Sequence, residues 1–221
     1  LQNLPLKPAG TKILDYRGKP IGNQSEHVAV LDKAIGDRDL QQCADAIIRL
    51  RADYLWEGKR QNEIAFHFTN GDLYKWTDHK KGIRPKLRTS SRVDYVQSAA
   101  FDDSFRNFRK YLDIVFAYAG TISLNKETIR VRENRQIKVG DILITPGSPG
   151  HAVIIVGSAI NARGKKVYLL AEGYTPAQSI HIITNPYRGA LNPWYELDVS
   201  KSSTITARYL FKETNLRKFR E

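Results

Sequence analysis

Apolar residues recur at steps of three and four in two stretches of this 221-residue chain, and that spacing predicts helices with one buried face. The first helix is predicted to start at Asp39, with Asp39 and Gln42 as a capping box, which places Cys43 in or just after the first turn. The second is predicted to run from about Asp103 until Gly120 ends it. The apolar positions are Leu40, Cys43, Ile47, Leu50 and Tyr54 in the first helix, and Phe105, Phe108, Leu112, Val115 and Ala119 in the second.

A hairpin is predicted within residues 63–76, which alternate between apolar and polar positions around the turn formers Asn70 and Gly71. A basic, proline-containing loop is predicted to follow it. The first part of the chain, residues 1–38, is rich in Pro and Gly and is predicted to be an arm that packs on the domain. The remainder, residues 39–221, is predicted to be a single domain.

The chain from the end of the second helix to about residue 183 is predicted to be mostly strand. The segments 141–145, 151–158 and 166–171 are rich in Val, Ile and Leu, which favour strands. Tyr209 and Phe211 indicate a last strand before a basic tail. The predicted fold class is therefore α+β, with an antiparallel sheet packed against helices.

The formal net charge of +12 predicts attraction to polyanions such as acidic cell-wall polymers. Nucleic acid is not expected as a partner, because no aromatic and basic motif of a known nucleic-acid reader is present. The basic clusters are interpreted as a solvated loop and a solvated tail. They comprise His79, Lys80, Lys81, Arg84, Lys86, Arg88 and Arg92 in the loop, and Arg217, Lys218 and Arg220 in the tail.

The single cysteine excludes an internal disulfide and leaves one candidate for thiol chemistry. No HExxH motif, paired-cysteine spacing or phosphate-binding glycine loop occurs, so no metal or other cofactor is expected. The chain begins at Leu1 and has no methionine, and we expect it to be a fragment that starts downstream of the native start. A removed export signal or an arbitrary fragment boundary would explain this, and a lipid anchor upstream of residue 1 is a further option. The sequence does not indicate an oligomeric state.

A thiol is a strong nucleophile only as a thiolate, which a helix N-terminus stabilises through its unpaired amides and dipole. Cys43 has that placement, although its apolar helix face also fits a buried and inert cysteine. A base must reach the thiol, and His151 is the candidate among five histidines. The others are predicted on exposed strand faces, for His67 and His181, or in polar loops, for His27 and His79.

His151 opens an apolar strand directly after a turn, so its ring is expected at the rim of the core, where a catalytic base can be held rigidly. Such a base needs an orienting partner. A hairpin closed around residues 161–163 puts His151 opposite Glu172, with Tyr174 and Gln178 as alternatives within a register error of about two residues. Gln42 is a further candidate to orient the ring or to hold an oxyanion. The plainer interpretation is a structural histidine and a surface carboxylate.

Two short segments resemble the Gly-Asp and His-strand segments of NlpC-type and CHAP-type cell-wall peptidases and amidases. They are Gly140-Asp141-Ile142-Leu143-Ile144 and Pro149-Gly150-His151-Ala152-Val153-Ile154-Ile155-Val156-Gly157. The resemblance implies a papain-like fold in which a cysteine at a helix N-terminus attacks an amide and a histidine is the base. Cys43 and His151 match these two positions, and Glu172 resembles the third polar residue of the CHAP pattern. The Cys-to-His separation of 108 residues is longer than in those enzymes.

Over nearly its whole length, the chain is similar to a bacterial family, domain-of-unknown-function family 4846. The similarity lies in Gln42-Cys43-Ala44-Asp45-Ala46, Tyr118-Ala119-Gly120-Thr121 and Leu170-Ala171-Glu172-Gly173-Tyr174-Thr175-Pro176-Ala177-Gln178. It implies a protein exported to the periplasm or the outer surface of a bacterium. It implies no activity.

Two functions are therefore expected from different classes. The first is a thiol-dependent amidase or peptidase that acts on cell-wall peptide or a related amide, with an anionic cell-wall peptide or polymer as partner. The alternative is a non-catalytic module on the same scaffold that binds envelope polyanions through the basic loop.

Overall fold

The computed structural model of the chain describes residues 4–89, 92–212 and 215–220. The fold is mixed α+β, with antiparallel sheets and few helices. The described helices are α1 Cys43–Glu57, α2 Trp76–Lys80, α3 Phe105–Tyr118 and α4 Thr121–Glu127. The described strands are β1 His27–Val30, β2 Ala65–His67, β3 Leu73–Lys75, β4 Ile83–Leu87, β5 Val93–Gln97, β6 Thr128–Arg130, β7 Ile142–Thr145, β8 His151–Ile160, β9 Lys166–Glu172, β10 His181–Ile183, β11 Ser203–Ile205, β12 Leu210–Lys212 and β13 Leu216–Phe219. None of these helices is long and apolar enough to span a membrane.

The main sheet has seven antiparallel strands in the order β1-β10-β9-β8-β7-β13-β6. The central strand, β8, is apolar along most of its length because both of its faces are covered. Ala152 and Ile154 pack in a core that includes residues of α1, whereas Val153 and Ile155 pack on the other face with residues such as Phe211. The three strands predicted between residues 141 and 171 are confirmed as β7, β8 and β9.

Helix α1 begins at Cys43, so the predicted start at Asp39 is wrong. The carboxylate of Asp39 instead accepts hydrogen bonds from the Ala177 N–H at 2.7 Å and from Gln42 Nε2 at 3.1 Å. The capping residue at the third helical position is Asp45, whose Oδ2 accepts from the Gln42 N–H at 3.1 Å. Asp39 therefore joins the start of the helix to a distant loop, which a local capping pattern cannot reveal.

Gly120 follows α3 and is also the N-cap residue of α4. The prediction that the chain after Gly120 is mostly strand is therefore wrong for the residues of α4. Helix α3 ends at Tyr118, close to its predicted end, and Ser104 caps its start by accepting a hydrogen bond from the Asn107 N–H at 3.2 Å. The tight junction between α3 and α4 brings residues 116–121 to one wall of a cleft.

The basic segment that was expected to be a solvated loop forms α2 and the β4–β5 hairpin. His79, expected in a polar loop, is fully buried. Its Nδ1 lies 2.7 Å from the Tyr74 hydroxyl, and its Nε2 donates to Asn107 Oδ1 at 3.1 Å. Burial, with the nearby positive charge of Arg84, lowers the pKa of His79 to about 4, although the hydrogen bond to Asn107 raises it. His79 is therefore a neutral part of the core.

The predicted basic tail is also wrong, because β13 lies inside the main sheet between β7 and β6. Arg217 is held by Thr128 Oγ1 and the Asn125 carbonyl, each at 2.9 Å. Within the segment predicted as an arm, His27 lies in an edge strand rather than in a loop, since β1 pairs with β10. The hairpin predicted within residues 63–76 is confirmed, in shorter form, as β2 and β3.

The β8–β9 hairpin has a different register from the one predicted. Ile154 pairs with Ala171 rather than with residue 169, and a bulge shifts the pairing again between Ile155 and Gly157. The observed closing turn extends to Lys165, whose carbonyl accepts from the Asn161 N–H at 2.9 Å. The prediction is two residues out at Ile154 and Ile155, within its stated error, and three residues out between the bulge and the closing turn.

Gly173 allows the end of β9 to approach the start of α1. A Cβ at this position would lie 2.8 Å from the Gln42 carbonyl oxygen and 3.0 Å from Ala46 Cβ. Gly173→Ala should lower the free energy of unfolding, measured by urea denaturation, by about 1–3 kcal/mol because the backbone must shift. Gly22→Ala is the matched control, since a Cβ there meets nothing within 4 Å. Equal effects from the two substitutions would show that this close approach is not required.

Candidate active site

The side chain of Cys43 reaches a cleft of about 470 Å³. Cys43 is the first residue of α1 and is partly exposed. The cleft lies between the start of this helix, the α3–α4 junction and the turn at residues 147–150. The first amides of a helix have no intrahelical acceptor and carry the positive end of the dipole. The thiol is therefore accessible, and it lies beside the unpaired amides of the helix start.

His151 is the first residue of β8, and it is almost fully buried. Aromatic rings of Tyr174 and Tyr209 pack on it, with centroid separations of 5.2 Å and 5.0 Å. The turn before the strand is tight, because a Cβ on Gly150 would lie 2.5 Å from Thr121 Oγ1. The backbone and the aromatic packing together restrict the orientation of the imidazole.

The carboxylate of Glu172 holds the ring of His151. His151 Nε2 donates to Glu172 Oε2 at 2.8 Å, and the carboxyl group is completely buried. Burial raises the pKa of Glu172, but the hydrogen bond from His151 and the charges of His151 and His181 outweigh it and lower the pKa to about 2. Glu172 is therefore an ionised carboxylate in the core. Because Nε2 is engaged, Nδ1 is the ring nitrogen that remains for the thiol.

The imidazole of His151 is mostly protonated, and therefore charged, at neutral pH. Burial lowers its pKa, but hydrogen bonding to the Cys43 side chain and to Glu172, together with the negative charge of Glu172, outweighs burial and raises the pKa to about 9. The structure thus brings Cys43, His151 and Glu172 together in the order thiol, imidazole and carboxylate. A proton can pass between sulfur and ring while the carboxylate stabilises the imidazolium.

Two residues that sequence reasoning missed complete the surroundings of Glu172. His181, expected on an exposed strand face, is fully buried in β10, and its Nε2 lies 3.5 Å from Glu172 Oε1. Arg208 Nε lies 3.8 Å from the same oxygen and 2.6 Å from Glu26 Oε2. The pairing of His181 with Glu172 across β10 and β9 depends on strand order. No local pattern in the sequence reports that order.

The three alternative orienting residues have other roles or weaker contacts. Tyr174 touches the ring of His151 edge-on but does not replace Glu172 as its hydrogen-bond partner. The Gln42 side chain is engaged with Asp39 and with the Thr175 hydroxyl. Gln178 is buried, and its backbone pairs with Asp15. Among the residues that the structure describes, no cluster of three or more His, Cys, Asp or Glu side chains could hold a metal ion.

The sequence profile of the domain-of-unknown-function family 4846 matches residues 1–218, and the chain belongs to that family. No curated protein sequence and no solved structure matches the chain.

Removing the charge of Glu172 should lower the pKa of His151. Glu172→Gln preserves the shape of the side chain but removes the negative charge that stabilises the imidazolium. Burial, which disfavours the imidazolium, is then opposed less strongly. We expect an NMR titration of the His151 ring to give a pKa of about 9 in the wild type and a lower value in Glu172→Gln. The control is Glu133→Gln, an exposed carboxyl paired with Arg135, which should leave the titration unchanged. An identical His151 pKa in Glu172→Gln would contradict the assignment of this carboxylate.

Proposed function

We propose that this member of domain-of-unknown-function family 4846 is a thiol-dependent amidase or peptidase with a papain-like arrangement of its site. The observation that carries the proposal is the position of His151, whose ring donates a hydrogen bond to the carboxylate of Glu172 and interacts with the Cys43 side chain, which raises the pKa of the imidazole. A structural cysteine needs neither a histidine beside it nor a route to solvent. Cys43 has both, since it lines a cleft from the first turn of a helix.

The proposed reaction begins with attack of the Cys43 sulfur on the carbonyl carbon of an amide. The backbone N–H of Cys43 is the candidate donor to the oxyanion, because it is one of the unpaired amides of the helix start. The C–N bond breaks as the imidazolium of His151 gives its proton to the departing amine. The products of this half-reaction are a free amine and a thioester on Cys43.

Water completes the cycle. Neutral His151 takes a proton from the water, whose oxygen attacks the thioester carbonyl. The C–S bond then breaks, a carboxylic acid is released and the sulfur recovers its proton from His151. Glu172 remains ionised throughout, because its interactions with His151 and His181 hold its pKa at about 2. Its role is to fix the ring and to stabilise the imidazolium.

The papain-like fold is part of the proposal. The supporting features are a helix that presents a cysteine at its first residue and packs on an antiparallel sheet whose central strand presents the histidine. Cell-wall peptide in the bacterial envelope is the substrate class that we propose, with an exported location because that material is found there. The net charge of +12 favours association with an anionic polymer.

A second candidate function is a non-catalytic module that binds envelope polyanions. The exposed side chains of Lys86, Arg88 and Arg92 on the β4–β5 hairpin favour it. Two of these three are paired with Asp94, at 2.6 Å for Arg88 and 3.4 Å for Arg92, which reduces their effect on a distant anion. The module would bind with a steep dependence on salt and would not need Cys43.

Alkylation of Cys43 tests the enzyme. Because the chain has one cysteine, incorporation of iodoacetamide reports on that site alone. At about pH 6, where a free thiol is nearly unreactive, Cys43 should react faster than free cysteine. His151→Gln should slow the reaction, because it removes the group that favours the thiolate, and His67→Gln is the matched control, because His67 lies outside this cleft.

Hydrolysis is the accompanying measurement. Purified cell-wall peptides should be cleaved by the wild type, with the products identified by mass spectrometry, and Cys43→Ser should lower the rate about a thousandfold or more. A Cys43 that reacts no faster than free cysteine, or equally fast in His151→Gln, would rule out this proposal. Intact polyanion binding by Cys43→Ser without any hydrolysis by the wild type would favour the binding module.

A further inference from the structure

The charged side chains that line the cleft are both acidic, although the chain as a whole carries an excess of twelve positive charges. They are Asp39 and Asp45, and no Lys or Arg is among the lining residues that the structure describes. Asp39 is already engaged by two hydrogen-bond donors, the Ala177 N–H and the Gln42 side chain. Both bonds go to Oδ1 of Asp39, whose residue is exposed to solvent, whereas Asp45 is the buried acidic group of the cleft.

One oxygen of Asp45 is left without a partner. Oδ2 accepts from the Gln42 N–H, which turns the side chain back toward the N-terminus of the helix. Oδ1 is buried and has no hydrogen-bond partner among the described residues, and the side chain is only 6% exposed. Burying a carboxyl oxygen without a hydrogen-bond donor costs free energy. Because Asp45 belongs to the lining of a cleft large enough for a ligand, we infer that a ligand supplies the missing donor.

We propose that Asp45 is a specificity residue that receives an ammonium group of the substrate next to the amide attacked by Cys43. This inference rests on the proposed hydrolase function and narrows its substrate to peptides that carry a free amine close to the scissile carbonyl. A free peptide N-terminus or the side-chain amine of a diamino acid has this chemistry. The anionic parts of a cell-wall polymer would lie outside the cleft, where the positive charges of the protein are found.

The electrostatics of Asp45 agree with this role. Burial raises its pKa to about 8, although the N–H of Gln42 opposes the rise. With a pKa of about 8, Asp45 is mostly protonated at neutral pH in the absence of a ligand. An arriving ammonium displaces that proton, and the carboxylate and the ammonium then stabilise each other. A carboxylate ligand would instead meet two acidic side chains and no Lys or Arg among the described lining residues, and the imidazolium of His151 is already paired with Glu172. The acidic cleft thus predicts a preference for cationic ligands, whereas the net positive charge of the protein predicts a preference for anionic ones. An experiment that compares the two kinds of ligand therefore tests the inference.

Reaction of Cys43 with two methanethiosulfonates of similar size provides the test. One reagent carries a 2-aminoethyl group, which is cationic, and the other a 2-sulfonatoethyl group, which is anionic. In each case the sulfur of Cys43 attacks the sulfenyl sulfur, a mixed disulfide forms and methanesulfinate leaves. The rate constants, measured near neutral pH and divided by those of a small neutral thiol, give an ammonium-to-sulfonate ratio for the cleft.

We expect a ratio well above one in the wild type. It should fall about tenfold or more in Asp45→Asn, because loss of one partner of a desolvated charge pair weakens binding steeply. Asp45→Ser is a second variant that keeps an oxygen able to cap the start of α1. It provides the same test if Asp45→Asn fails to fold. Asp103→Asn, the same change at an exposed site outside the cleft, should retain the wild-type ratio.

A sulfonate reagent that reacts as fast as the ammonium reagent in the wild type would overturn the inference, as would an undiminished ratio in both Asp45 variants. Neither reagent has to be hydrolysed, so the result does not depend on whether the protein cleaves an amide. If no hydrolysis is found but the ammonium preference depends on Asp45, the proposed hydrolase function is wrong and the ammonium subsite is retained. Hydrolysis without that preference would retain the enzyme and remove the subsite.

Discussion

The hydrogen bond from His151 to the buried carboxylate of Glu172 is the interaction on which the rest of the site depends. An ionised carboxylate in a protein core is costly unless charge and hydrogen bonds compensate for its desolvation. His151, His181 and, at a longer distance, Arg208 supply that compensation. In return, Glu172 fixes one ring nitrogen of His151 and keeps the ring charged. The other nitrogen can then serve the thiol at the mouth of the cleft.

The fold supplies this geometry through close approaches of backbone. Gly150 permits the turn that places His151 at the first residue of β8, and Gly173 lets the chain after Glu172 pass against the start of α1. The two apolar cores, one on each face of the sheet, hold these segments in place. A helix start, a strand start and a strand end thus meet at one point, and each contributes one side chain to the site.

Much of this arrangement could be predicted from the sequence, because it is local. The apolar segment of β8 and the turn before it place His151 at a strand start, and the helical spacing after Gln42 places Cys43 near a helix start. The hairpin prediction identifies Glu172 as the side chain that contacts His151, although the ladder itself differs from the predicted register by two to three residues. The prediction of the contact between His151 and Glu172 tolerates that error because both residues lie at the open end of the hairpin.

The errors concern features that are set by distant parts of the chain. The burial of His181 depends on strands on both sides of it, and the place of Arg217 in the sheet depends on β6 and β7. Basic residues were interpreted as solvated, yet long side chains such as Arg217 can be satisfied by carbonyl groups within the fold. The unpartnered oxygen of Asp45 was likewise invisible, since sequence does not report missing hydrogen bonds.

Cross-linking with dibromoacetone tests the central claim most directly, because this short reagent joins a thiol to an adjacent nucleophile. The account predicts that the cross-linked product, after proteolysis and mass spectrometry, connects the peptide containing Cys43 to the peptide containing His151. A product attached at Cys43 alone, or joined to any other residue, would contradict the placement of the thiol beside that imidazole.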